Sequence, residues 1–301
     1  INYFVKNTRD LLFQPNVSGV LGTAGPGSYP PIINAGDVSN KGVELELGYV
    51  GKKRKNFNWS TSFNTTYLKN EVMKTPDGVD FLPGASFGVG GNIATRFQEG
   101  YAIGYFIGYE TNGVFQNQAE IDNSTVVQEG AEPGDFRFID QNGDGKISFS
   151  DDTDKKELGN AIPTFTFGYN LNMDFKGFDL SANLYSAIGQ EIIRNYERQQ
   201  PFANQLNYTI ERWTGPNSTN ENPRLTTDLT RNTVFSDYYV ESGSFLRLRN
   251  IQLGYTLPTK LLGRFKVTST RIYIAANNLI TITNYQGYDP DVGSFGGALA
   301  A

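Results

Sequence analysis

"TFTFGYNLNMDFKGFDLSANLY", residues 164–185, holds two runs of strict alternation on either side of a Lys-Gly pair. In the first, Phe165, Phe167, Tyr169, Leu171, Met173 and Phe175 take every second position, with Thr164, Thr166, Asn170, Asn172 and Asp174 between them. In the second, Phe178, Leu180, Ala182 and Leu184 repeat the pattern after Lys176-Gly177. Successive side chains of an extended chain point to opposite faces, so each run predicts a strand with one apolar and one polar face. Two such strands joined by a short glycine-containing turn read as a hairpin.

The same pattern recurs along the chain. "FNWSTSFNTTYLKN" (57–70) sets Phe57, Trp59, Thr61, Phe63, Thr65 and Tyr67 against Asn58, Ser60, Ser62, Asn64 and Thr66. "KGVELELGYV" (41–50), "SGSFLRLRNIQLGYTL" (242–257) and "STRIYIAANNLITI" (269–282) are further strands, and the opening "INYFVKNTRDLLF" reads as a cut through another. In 242–257 the phase breaks: Leu246 and Leu248 do not share parity with Ile251, Leu253 and Tyr255. One extra residue in a β-bulge would reconcile them. Several of these strands are longer than the five or so residues usual in soluble proteins, and about ten tilted residues cross a bilayer. Their polar faces of Asn, Ser, Thr and Gly suit a water-filled lumen. Their aromatic apolar faces suit lipid, with rings gathered into girdles.

Connections sort by length. Those at 51–56, 176–177 and 258–268 are short, whereas those at 14–40, 70–161, 193–241 and from 283 onward are long. Outer-membrane barrels alternate short periplasmic turns with long extracellular loops, and a soluble sandwich has no reason to do so. The expected fold is therefore all-β: seven spanning strands of a transmembrane antiparallel β-barrel with long extracellular loops. Seven strands leave an edge open, which lipid does not tolerate, so residues 1–301 are expected to be one part of a larger barrel whose closing strand lies elsewhere.

Composition removes other classes. Net charge is −5, which argues against nucleic acid. The chain has no Cys and no His, hence no thiolate or imidazole metal site, no Cys nucleophile and no Ser-His-Asp triad. Nothing in the sequence pairs two carboxylates for glycoside hydrolysis. An enzyme is not expected.

The stretch "FIDQNGDGKISFSDD" (138–152) interrupts the β pattern. Asp140, Asn142 and Asp144 stand at positions 1, 3 and 5 of a twelve-residue calcium loop, with Gly145 at the sharp turn. Lys146 would offer its carbonyl at position 7, and Asp151 would close the loop at position 12. The bland alternative is an Asx-rich turn without metal. A structural calcium ion here would order the loop 70–161, which would otherwise be long for a segment without secondary structure of its own. "NQLNYTIERW" (204–213) places Leu206, Ile210 and Trp213 on one face of a short helix. Trp213, Tyr105 and Tyr109 are the candidate substrate contacts, with Tyr101, Tyr196, Tyr238 and Tyr239 as further loop rings able to stack on sugars or hold peptide side chains. Packing of the loops against one another is the competing reading for each of them. Lys52-Lys53-Arg54-Lys55 reads as a solvated edge near anionic head groups.

The block "EPGDFRFIDQNGDGKISFSDDTDKKELGNAIPTFTFGYN" (132–170) resembles the SusC/RagA family of TonB-dependent outer-membrane transporters. The order P-G-D, D-x-N-G-D-G-x-I, then G-N-x-x-P followed by alternating aromatics is the family's. "NKGVELEL", "VESGSFLRLRNIQLGYTLP" and "STRIYIAANNLITITNYQGYDPDVGSFGG" resemble three further family blocks in the right order. The resemblance implies the C-terminal portion of a barrel of roughly 22 strands, without its plug domain and TonB box. It also implies import of glycan fragments first and peptides second, a SusD-like surface lipoprotein as lid, and energy from TonB-ExbB-ExbD in the bacterial outer membrane. The alternative is a soluble carbohydrate-binding or adhesion module with a dockerin-like calcium loop.

Overall fold

The structure is a computed structural model that describes residues 1–13, 32–34, 36–88, 92–195, 207–228, 230–258 and 267–291. Seven strands form one sheet: β1 (Asn2–Thr8), β2 (Asp37–Val50), β3 (Phe57–Lys74), β4 (Phe165–Phe175), β5 (Phe178–Ile188), β6 (Phe245–Thr256) and β7 (Arg271–Thr283). Their order in the sheet is their order in the chain, and every neighbouring pair is antiparallel. This meander is the wall the alternation predicts. Among the described residues no helix is long and apolar enough to cross a membrane.

Register explains how the two faces stay separate across the sheet. Tyr67, Phe63 and Phe57 on β3 stand opposite Phe165, Tyr169 and Phe175 on β4. Phe175 pairs with Phe178, and Phe178 with Tyr255. Because the side-chain period is two, this register places every apolar set on one side. Rings close both ends of that face: Tyr67 with Phe165 at 5.0 Å, and Phe57 with Phe175 at 6.3 Å and Phe178 with Tyr255 at 4.4 Å. Ten residue steps from Phe165 to Phe175 give about 34 Å of strand. At the usual barrel tilt that rises about 24–28 Å, the height of a lipid-facing apolar band. Tyr49, Phe175, Phe178, Leu253, Ile272 and Ile274 on this face are all exposed in the chain alone, as lipid contact requires. The opposite face is bound by polar pairs: Asn183 to Asn170 at 2.5 Å, Asn170 to Ser62 at 3.1 Å, Asn250 to Asn277 at 2.8 Å, and Arg271 to Asp179.

The hairpin between β4 and β5 turns on Lys176 and Gly177, at φ 49° and 91°. Two consecutive left-handed residues match the right-handed twist of the flanking strands, and glycine carries the second without strain. The phase break in β6 is a bulge. Asn183 pairs with Asn250 and Leu184 with Leu248, so Arg249 is the extra residue. The bulge keeps Leu248 and Ile251 on the apolar side and turns the Arg249 guanidinium over the Tyr185 ring, 3.7 Å from its centroid.

The wall is one layer thick, and the packed cores lie at its long-connection end, built from the connections and, at Val38 and Val72, from the ends of β2 and β3. The connection between β3 and β4 was expected to lack secondary structure. It instead contains a four-stranded sheet in the order Lys155–Gly159, Tyr105–Tyr109, Thr95–Gln98, Phe81–Pro83. It also holds a ribbon of Thr111–Val114 with Phe136–Phe138 and a short helix, Gln118–Asp122. Its bounds are shifted from those expected, since β3 runs on to Lys74 and β4 begins at Phe165. One cluster joins Val38, Val72, Leu82 and Phe97. Others gather Phe87, Phe106, Phe235 and Tyr239, and Tyr109, Val114, Phe136, Phe138 and Ile147. The third long connection contributes a 3₁₀ turn, Asn207–Glu211, where an amphipathic helix was expected. Ile210 on that turn is exposed, and Leu206 and Tyr196 lie outside the described residues.

Candidate functional site

The second and third long connections fold into one cap, and the join runs through Glu132-Pro133-Gly134-Asp135. Asp135 is 3% exposed. Its carboxylate accepts from Arg224 Nε at 2.7 Å, from Asn232 Nδ2 at 2.9 Å and from the Glu132 backbone N–H at 3.0 Å. Asn232 returns a bond by accepting from the Phe136 N–H at 2.9 Å. Glu132 adds a second carboxylate 2.6 Å from Arg224. Gly134, at φ 90°, lies under the Trp213 ring, where a Cβ would come within 2.5 Å of it. Farther along, Asp237 accepts from the Thr111 N–H and hydroxyl at 3.1 and 2.8 Å, and Tyr109 N–H donates to the Phe235 carbonyl at 3.0 Å.

The acidic loop sits on the rim of this cap. Asp140 accepts from the N–H groups of Gly143 and Gly145 at 2.7 and 2.8 Å. The Gly145 N–H in particular holds the Asp140 carboxyl below the usual carboxylate range. Asn142 accepts from the Asp144 N–H at 2.9 Å, and Asp144 from the Lys146 N–H at 3.0 Å. Ile147 is buried against the aromatic cluster, and the Lys146 segment pairs with Val127. Asp151, expected to close the loop, is exposed and accepts from the Thr153 N–H and hydroxyl at 3.0 and 2.6 Å. Asp154 takes the inner place. It is fully buried, accepts from Gln141 N–H at 3.1 Å and Ser148 N–H at 2.6 Å, and interacts with Asp140. Of the two carboxylates, Asp154 thus faces the inside of the loop and Asp151 the outside. Asp152 between them binds the four-stranded sheet through Arg96 at 2.5 Å and Lys155 at 2.7 Å. Burial works against its charge, but the two cations hold it below the usual range.

Oxygen donors of this kind fit a hard cation such as calcium. Among the described residues no Lys or Arg pairs with Asp154, so a buried carboxylate stands beside Asp140 without a compensating charge. Such an arrangement is expensive unless a cation joins it. Among the described residues no three acidic side chains meet at one point. Asp140, Asn142 and Asp144 are turned to backbone N–H groups.

The proposed substrate rings are placed differently from expectation. Tyr105 is 1% exposed, stacks on Tyr101 at 4.2 Å and donates to Gln98 at 2.5 Å. Tyr109 is 4% exposed, packs against Phe138 and Phe149, and donates to the Ser148 carbonyl at 3.0 Å. Burial pushes both phenols up to about 12. Neither ring can present a face to a substrate, so both are core residues of the cap. Trp213 is half-buried, with Gly134 beneath its ring, and packs against the cluster of Tyr109, Val114, Phe136, Phe138 and Ile147. A cleft of ≈ 470 Å³ lies elsewhere, between the third connection and the segment after β7, lined by Arg194, Tyr208, Glu241, Gln286 and Tyr288 among others. Arg194 pairs with Glu241 at 3.2 Å there and lies over the Tyr208 ring at 4.6 Å.

No protein-family model matches the chain. Individual proteins do. TonB-dependent receptor P3 of Formosa agariphila is 33% identical over 294 residues, 96% of this chain. TonB-dependent receptor SusC of Bacteroides thetaiotaomicron is 27% identical over 266 residues, 87% of this chain. The solved RagAB peptide transporter superposes with a TM-score of 0.72 at 24% identity, over 96% of this chain. The chain belongs to the SusC/RagA family of TonB-dependent receptors. It spans 28% of the length of P3, 25% of SusC and 30% of the solved chain.

Within this SusC/RagA chain, the sequence blocks by which the family is read are the parts that hold the cap together. The Pro-Gly-Asp block supplies the join to Trp213, Arg224 and Asn232, and the acidic loop follows it directly. Sequence reading missed Asp135, Arg224, Asn232 and Asp154. Only the Pro-Gly-Asp block carried a signal, because the partners lie about 90 residues away and have no pattern of their own. The cleft at Tyr208 and Tyr288 had no signal in the sequence.

Proposed function

We propose that residues 1–301 form the C-terminal portion of the wall and outer cap of a TonB-dependent importer in the bacterial outer membrane. Its cargo would be nutrient oligomers, glycan fragments first and peptides second. The carrying observation is the seven-stranded meander, with one aromatic-girdled apolar face, that also superposes on a transporter barrel over nearly its whole length. The chain contributes no chemistry to the cargo; transport would be driven by TonB-ExbB-ExbD through parts of the receptor outside these residues. The cap, at the long-loop end, is where a SusD-like lipoprotein would seat. The peptide reading has its own support, since the solved neighbour is named as a peptide transporter.

Cargo contacts are assigned to Tyr208 and Tyr288 in the cleft beside Arg194, in place of Tyr105 and Tyr109. Calcium is assigned to Asp140, Asn142, Asp144, the Lys146 carbonyl and Asp154, in place of Asp151. When bound, the ion would neutralise the Asp140 and Asp154 pair and pin the rim. The residues themselves fix the loop through Ile147 and the Val127 pairing. The test is uptake of labelled oligosaccharides and peptides by cells with the full-length gene deleted and then restored. Loss of one cargo class on deletion, regained on restoration, supports the reading. Unchanged uptake of both classes would refute it.

A further inference from the structure

The two short turns of the described wall carry charge of one sign. Residues 51–56 read Gly-Lys-Lys-Arg-Lys-Asn, and the β4–β5 turn is Lys176-Gly177. Neither contains Asp or Glu, in a chain that is net −5 overall. Lys52, Lys53, Arg54, Lys55 and Lys176 are all exposed. The third short connection has the same sign in sequence, with Lys260, Arg264 and Lys266 and no acid, although those three lie outside the described residues and form no part of the site.

Position gives this charge its meaning. The 51–56 turn is held directly beyond the girdle: Gly51 N–H donates to the Trp59 carbonyl at 2.9 Å, and the Trp59 ring packs 5.1 Å from Tyr49. Arg54 pairs with Phe57, the last ring of β3 on the apolar face. Lys176 holds its ammonium 5.2 Å from the centre of the Phe175 ring, on the same face. The nearest acids at this end, Asp174 and Asp179, stand on the other parity of β4 and β5, facing the lumen, where Asp179 is taken by Arg271. Lys176 therefore emerges on the lipid side, and the exposed cations of 51–56 stand just beyond the same aromatic rings, at the depth where rings meet head groups, with no acid in either turn.

We infer that the short-turn end of this wall is a binding surface for anionic phospholipid head groups of the inner leaflet. The two turns adjoin, since the Lys176 N–H donates to the Asn56 carbonyl at 3.1 Å, and neighbouring charges within about a Debye length, 8–10 Å, act together on one patch of membrane. Each Lys or Arg near an anionic surface is worth about a five-fold preference. The surface recruits phosphatidylglycerol-type lipids to the turns and fixes the height of the barrel in the bilayer, while the acidic rim remains at the opposite end.

The inference rests on the barrel reading, and the experiment separates the two. The full-length receptor is placed in nanodiscs of equal phosphatidylglycerol and phosphatidylethanolamine, and the immobilised fraction of each spin-labelled lipid is measured. Wild type should enrich phosphatidylglycerol at least about five-fold. A variant carrying K52Q, K53Q, R54Q, K55Q and K176Q should fall to near parity, and K52Q/K53Q alone should lie between. Inorganic phosphate at constant ionic strength should leave the enrichment in place, whereas raised salt should remove it. Insertion with equal enrichment in wild type and variant would overturn the inference alone. So would displacement by phosphate at constant ionic strength. Failure of the receptor to insert would overturn the barrel reading and this inference with it.

Discussion

Removing the Asp135 carboxylate should release the third long connection from the second without disturbing the wall. In D135A, Arg224 loses its Nε acceptor, Asn232 its side-chain acceptor and Glu132 its backbone acceptor. Breaking a buried ion pair by deleting one partner costs about 3–5 kcal/mol. Arg224 keeps Glu132, whose side chain is 62% exposed, and is itself 18% exposed, so the lower end applies, about 3 kcal/mol. For a cap that opens and recloses faster than it exchanges, that corresponds to roughly a hundred-fold faster amide exchange. The effect should fall on the 207–241 side of the join and on Gly134 and Phe136. Exchange in β4 and β5 should not change, since none of these contacts reaches the wall. The assay is hydrogen–deuterium exchange with peptide resolution on the full-length receptor in detergent. D135N keeps one carbonyl acceptor and gives up the charge, so it should lie about ten-fold above wild type. If D135A leaves exchange across 207–241 unchanged, the claim that Asp135 joins the two connections is refuted.

Three further outcomes follow from the geometry. D154N should abolish calcium protection of the 138–154 segment against protease, while D151N should leave most of it; equal loss in both would restore Asp151 as the closing ligand. G134A should loosen the cap by about 1–3 kcal/mol, because the alanine meets both a left-handed backbone and the Trp213 ring, and W213A should relieve part of that loss in the double variant. Burial holds the Tyr105 phenol up to about 12, against about 10 in an unfolded chain. A raised folded value stabilises fully below the unfolded one and is lost as pH rises through the folded one. The cap should therefore loosen between roughly pH 10 and 12, with a late step in tyrosinate absorbance that Y105F reduces and that Y105F/Y109F removes; a wild type and Y105F that titrate alike would contradict this.

What could be read from the sequence was what depends on parity. Along most of its length each wall strand keeps one polar and one apolar face, so its pattern is written residue by residue. Even the defect at Arg249 showed as a change of phase among Leu246, Leu248 and Ile251. The cap could not be read in this way. Its short strands, such as Thr95–Gln98 and Tyr105–Tyr109, are buried on both faces and carry no alternation. Exposed and buried tyrosines are the same letter, so Tyr105 and Tyr109 read as binding rings until their packing was seen. The buried Asp154 carried no signal because a fixed twelve-residue template stops at Asp151, three residues earlier.

The cap's contacts also set the order in which the molecule can form. Asp135 meets Arg224, Phe136 meets Asn232 and Thr111 meets Asp237 across 89, 96 and 126 positions. Closing such spans from a free chain is slow, because loop entropy is lost before any contact repays it. The β4–β5 hairpin has the opposite character, with its ends meeting across two residues. Once that hairpin stands, it brings the ends of both connections to the same rim. Most of the separation between their partners is then already closed. The wall is thus the template on which the outer assembly is completed, and the cap is the last part to form and the first to be lost.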